Sequence, residues 1–164
     1  MKKIIMAIAL CLVCASCFGQ FICKTIDNGF DEPFKKAICY STPDSPDKGS
    51  LCFEEKFAHP YTYITGSYFC DDVLLIDVSF DNGNKYLLSG EKGKKSNFVH
   101  IVPYCTRFNM ETEECHKEWE EFWNDMKTCS VVKFRINESH CENNVYFFNL
   151  KGSSKAIDFT SVKE

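Results

Sequence analysis

Apolar residues along this chain recur first at a period of two and then, late in the chain, at a helical period. Between Val73 and Phe80 the positions Leu74, Ile76, Val78 and Phe80 share one side, while Asp77 and Ser79 mark the other as wetter. Such alternation marks a half-buried strand. Asp81-Asn82-Gly83-Asn84 reads as a turn and Lys85 to Ser89 as the returning strand. Gly90 to Ser96 then reads as a polar tip. Earlier, Phe34 to Ser41 and Ser50 to Phe57 read as strands flanking the breaker-rich loop Thr42 to Gly49. Tyr61 to Phe69 is rich in aromatics and threonine, and Phe98 to Tyr104 forms a further strand with Pro103 at its edge.

From Glu111 to Lys127 the period changes. Cys115, Trp119, Phe122, Trp123 and Met126 form a helical stripe that holds both tryptophans, with glutamates at its start and Lys127 at its end, as the helix dipole favours. The stripe predicts a helix packed on a sheet. Alternation returns with Val132, Phe134 and Ile136 facing one way and Lys133, Arg135 and Asn137 the other, and again with Tyr146, Phe148 and Leu150. Gly152-Ser153-Ser154 opens a short helical turn around Lys155 to Phe159, for which Ser153 is the expected cap. These elements predict a mainly β (α+β) domain. It would be an antiparallel sheet or β-sandwich with one long helix late in the chain packed on one side.

The first residues have a different character. Met1-Lys2-Lys3 precedes about thirteen mostly apolar residues, Ile4 to Ser16, and Cys17-Phe18-Gly19 supplies small residues before Gln20. This is the layout of a secretory signal peptide, and its apolar part is too short for a comfortable permanent span. The division expected is a signal peptide over 1–19 and one exported globular domain over 20–164. Lipid attachment at Cys17, after Ala15-Ser16, is the alternative to free export. Localisation is therefore read as secreted or periplasmic and cell-envelope, with no transmembrane segment in the mature chain. The chain's net charge is −4, and loss of Lys2 and Lys3 with the leader takes it to −6. With only Arg107 and Arg135 as arginines, this acidic balance excludes nucleic acid as an expected partner.

Three of the eleven cysteines, Cys11, Cys14 and Cys17, lie in the leader, so their metal-like spacing carries no site. The eight that remain are Cys23, Cys39, Cys52, Cys70, Cys105, Cys115, Cys129 and Cys141. An even number in an exported domain reads as a disulfide framework. Local spacing favours Cys39–Cys52, across the Pro-rich loop, and Cys105–Cys115, across a short loop into the helix.

The closing run Val145 to Asp158 resembles the end of small exported bacterial domains of unknown function. In those, an aromatic strand ends in the pattern seen here as Leu150-Lys151-Gly152-Ser153, and a short helix carries an Ala-Ile pair, here Ala156-Ile157. The layout of the preceding helix, of the Val131 to Ile136 strand, and of Phe30 to Cys39 is similar. The resemblance implies a compact β-sandwich-like domain and brings no catalytic residues. The high cysteine content departs from it.

No motif for catalysis stands above its plain structural role. His116 and Glu120 share a helix face and, with His140 or a cysteine, have the residue types of a metal site, but a solvated face is the plainer reading. Cys115-His116 and His140-Cys141 are better spent on bridges than as nucleophile pairs. Gly152-Ser153-Ser154 lacks the second glycine of a nucleophile elbow. No phosphate-binding fingerprint occurs, and neither a cofactor nor a metal is expected. Tyr61, Tyr63 and Tyr68 are the candidate binding surface, with cross-strand packing as the competing reading. Asn137-Glu138-Ser139 has the form of a glycosylation sequon. The function expected is a non-enzymatic exported binding or structural module with a protein or glycan ligand. The alternative is a secreted enzyme or enzyme inhibitor whose site is assembled only by the fold.

Overall fold

The computed structural model describes residues 16–18, 20–27, 32–55, 60–66, 68–93, 97–107 and 112–162. Among these residues ten strands and three helices follow in the order β1 (Ser16–Phe18), β2 (Phe21–Ile26), β3 (Phe34–Tyr40), β4 (Ser50–Glu54), β5 (Tyr61–Thr65), β6 (Val73–Phe80), β7 (Lys85–Lys92), β8 (Phe98–Pro103), α1 (Tyr104–Arg107), α2 (Glu113–Thr128), β9 (Val131–Asn137), β10 (Asn144–Asn149) and α3 (Ser153–Thr160). All strands belong to one antiparallel sheet of order β1-β2-β3-β4-β5-β8-β7-β6-β9-β10. The mainly β class and the late long helix are as expected. The strands form one continuous sheet rather than two separate layers.

The sheet curls until β10 meets the segment that follows β3. Ser41 bridges Phe148, the Thr42 N–H donates to the Phe147 carbonyl at 2.8 Å, and the Asp47 N–H donates to the Val145 carbonyl at 3.0 Å. The Phe147 N–H is returned to Ser45 Oγ at 3.0 Å. The Pro-rich loop thus takes the place of a strand and covers the β10 edge that would otherwise invite pairing with another chain. Lys48 holds the loop by donating from Nζ to the carbonyls of Thr42, Pro43 and Ser45.

Alternation delivers the core. Leu74, Ile76, Val78 and Phe80 of β6, Val132, Phe134 and Ile136 of β9, and Tyr146 and Phe148 of β10 are all buried on the inner face. The α2 stripe packs against that face. Phe122 lies 5.9 Å from Phe80 and 5.7 Å from Tyr86, ring to ring, and Trp123 reaches Phe53 at 6.0 Å. Burying large aromatics this fully is worth a few kcal/mol each. The short helix α3 packs against α2 and against β2, β3 and β4.

Several local expectations change. Strand β7 continues through Gly90 to Lys92 instead of ending at Ser89. A side chain at Gly90 would meet Val99 Cγ1 at 2.6 Å and Ile76 Cδ1 at 2.9 Å, so glycine keeps the ladder intact where neighbours crowd in. Helix α2 starts at Glu113, with Thr112 as N-cap accepting from the Cys115 N–H at 3.3 Å. The cap of α3 is Gly152, in the left-handed region at φ 91°, and Ser153 is the first helical residue, buried and not capping. Of the expected signal peptide only Ser16–Phe18 and none of residues 1–15 are described; those three residues lie along β2 in register Ser16↔Cys23. No helix among the described residues is long and apolar enough to cross a membrane.

Candidate functional site

The cysteines divide in two. Cys105–Cys115 forms as its spacing suggested, and Cys70–Cys141 joins the approach to β6 with the β9–β10 turn. Cys39–Cys52 does not form, and the register gives the reason. Cys39 stands opposite Leu51 and Cys52 opposite Ile38, so the two sulfurs project from opposite faces of the sheet. Cys39 lies in the core, where its thiol contacts the Asn149 carbonyl at 3.3 Å and burial pushes its pKa up to about 12. Cys52 is buried under the outer face, and burial also raises its pKa. Cys23 is buried on β2, and Cys129 is a partly exposed thiol just after α2.

Around Cys70–Cys141 the polar groups serve the staple. Glu138 accepts from the Cys70 N–H at 2.5 Å and from Asn144 Nδ2 at 2.7 Å. His140 Nδ1 lies 2.5 Å from Asp71 Oδ1, and the hydrogen bond from His140 holds the Asp71 carboxyl below the usual carboxylate range. Cys70, Glu138 and Cys141 are the only described trio with ligand atoms close enough for a metal, and two of the three are spent on the disulfide. Cys115 and Cys141, being bridged, offer no thiolate to His116 or His140. His116 and Glu120 are both exposed on α2.

The tyrosines do not form one platform. Tyr63 is buried, Tyr61 is half-buried and stacks on His100 at 3.9 Å, and Tyr68 is 68% exposed outside the strands. Tyr63 closes a ring of polar contacts on the outer face. Its hydroxyl donates to Glu54 and receives from Lys36, and Lys36 Nζ reaches Glu54 Oε1 at 3.0 Å. Burial, and then the bond to Glu54, drive the Tyr63 pKa far up. A nucleophile or general base needs the opposite, a group poised to lose its proton near neutrality. This cluster keeps the Tyr63 hydroxyl protonated and ties β3, β4 and β5 together.

The other half of the outer face is different. The register aligns Lys85, Ser79, Lys133 and Phe147 in one row across β7, β6, β9 and β10, and Leu87, Asp77, Arg135 and Val145 in the next. Between these rows lies an open depression of about 390 Å³. Arg135 donates from Nε and Nη2 to Asp77 Oδ2 at 3.0 and 2.7 Å, and Asn137 Nδ2 adds a third bond at 3.1 Å. The bonds from Asn137 and Arg135 hold the Asp77 carboxyl below its ordinary range. Lys133 Nζ sits 4.7 Å from the Phe147 ring centre. Beside the depression Val73, Leu75 and Leu87 stand outward, each about two-fifths exposed. The outward placement of Lys133 and Arg135 was legible from alternation. Their alignment with Lys85 and Phe147 was not, since no local pattern states which strands become neighbours.

No protein-family model, curated protein or solved structure matches the chain.

Proposed function

We propose that this protein is an exported domain that acts by binding, not by catalysis, and that the outward face of β7, β6, β9 and β10 is where it binds. The observation that carries this reading is the set of large aliphatic side chains, Val73, Leu75 and Leu87, turned outward on the strands beside the open depression. Strands whose other face is fully packed need no apolar side chains there for folding. The titratable groups support the same reading, because Cys39, Cys52 and Tyr63 are all pushed away from reactivity. The leader-like start and the two disulfides fit an oxidising compartment. The resemblance of the closing segment to small exported bacterial domains points the same way.

The test uses the 20–164 protein, labelled and titrated onto intact cells and envelope fractions of its source. Saturable binding is expected, and the double variant Leu75→Glu/Leu87→Glu should weaken it at least tenfold while leaving the thermal midpoint near that of the parent. Unchanged binding by the double variant, or no saturable binding at all, overturns the assignment.

A further inference from the structure

We infer that the ligand of this face is an acidic polysaccharide, one bearing carboxylate or sulfate groups along a chain of sugar rings. The inference rests on the binding reading above and names its ligand class. The protein as a whole is acidic, yet this depression is lined by Lys85, Lys133 and Arg135 against the single carboxylate of Asp77. That carboxylate is consumed by Arg135 and Asn137. Lys85 and Lys133 form no ion pair with a described carboxylate, so both ammonium groups remain to meet an incoming anion. Asp44, on the loop covering the β10 edge, also senses Lys133.

Geometry then favours sugar over peptide. Lys85 and Lys133 belong to strands two places apart, a separation of ~10 Å, so an extended polyanion is gripped at two points rather than one. Strands β7, β6 and β9 are interior to the sheet, and their backbone groups are already paired on both sides. An acidic peptide therefore finds no edge to extend by main-chain bonding, the mode that gives extended peptides most of their affinity. Recognition falls to side chains alone. Phe147 offers what a sugar ring uses, a half-buried flat apolar surface, with the Lys133 ammonium 4.7 Å over its ring for the sugar's acid group to meet. A chain of stiff rings also loses less conformational freedom on binding than a flexible peptide does.

The experiment titrates the 20–164 protein, by calorimetry and by amide chemical-shift mapping, with polygalacturonate oligomers, heparin-derived oligosaccharides, neutral dextran oligomers and a poly-glutamate peptide. At least one of the two acidic sugars should bind and shift amides of β6, β7, β9 and β10, with affinity falling as salt rises. Dextran should not bind, and poly-glutamate should bind at least tenfold more weakly than the acidic sugar. Lys85→Gln/Lys133→Gln should weaken sugar binding at least tenfold, and Phe147→Leu, which keeps an apolar side chain there, several-fold. Equal binding of poly-glutamate, binding of dextran, binding of neither acidic sugar, or an unaffected lysine double variant each overturns the inference. The two readings fail separately. Should Leu75→Glu/Leu87→Glu abolish cell binding while Lys85→Gln/Lys133→Gln leaves it whole, the binding face stands and the acidic sugar falls. Should neither variant alter cell binding, the face itself falls.

Discussion

Cys39 and Cys52 lie on adjacent strands, yet one belongs to the core and the other to the outer face. The backbone alternation of β3 and β4 decides this, and the short loop between them cannot override it. For Cys39 the consequence is chemical inertness. The unfolded thiol titrates near 8.5–9, whereas burial in the folded protein raises its pKa to about 12. The stabilisation carried by the neutral thiol is complete below the unfolded value. It is lost as the pH climbs towards the folded one, because the unfolded chain then releases the proton first. At pH 9 iodoacetamide should therefore alkylate the partly exposed Cys129 first, with Cys39 and Cys52 reacting only at the rate of unfolding. Mass spectrometry of timed digests reads this order, and a Cys39 alkylation rate comparable to that of Cys129 contradicts it.

At the scale of the element, the helix α2 carries one charge that its apolar stripe conceals. Asp125 is buried and accepts from Asn82 Nδ2 at 2.9 Å, Asn84 Nδ2 at 2.8 Å and the Tyr86 hydroxyl at 2.6 Å. These three donors come from the β6–β7 turn and the start of β7, so one carboxylate buckles the helix to the hairpin. Truncation to alanine would leave the buried Tyr86 hydroxyl without its acceptor and release the exposed Asn82 and Asn84 amides to water. Hydrogen bonds to a charged group are worth about 1.5–3 kcal/mol, so Asp125→Ala should cost ~2–4 kcal/mol and lower Tm on the order of 10 °C. Calorimetry checks this, and a change under about 2 °C would remove Asp125 from the account.

The same helix shows what the residue pattern could and could not reveal. Its apolar positions were plain, but an aspartate beside them reads as a solvent-facing charge until its partners are known. β6, β9 and β10 were legible because each carries a large apolar residue at every second position on its inner face, even though Val73, Leu75 and Phe147 point the other way. β2 was not, since Ile22 points outward while Phe21 and Cys23 point in, which blurs the alternation. The basic row of Lys85, Lys133 and Phe147 draws on three strands scattered over the chain. It exists only because β9 returns to lie beside β6.

For the whole molecule, two disulfides act on a sheet whose β10 edge already meets the loop after β3. Cys70 and Cys141 are 71 residues apart, against 10 for Cys105 and Cys115. In the chain-entropy model the longer closure restrains the unfolded chain more, by about 4 kcal/mol against about 3. A domain of this size with a complete core does not need every cysteine bridged, which leaves Cys39 and Cys52 free to serve as small apolar residues. Non-reducing peptide mapping of protein isolated from its own cells tests this most directly. The account predicts a mature N-terminus at Gln20, linked peptides Cys70–Cys141 and Cys105–Cys115, and unlinked Cys39 and Cys52. A chain retaining Met1 with all of these cysteines reduced, or a Cys39–Cys52 linkage, would contradict it.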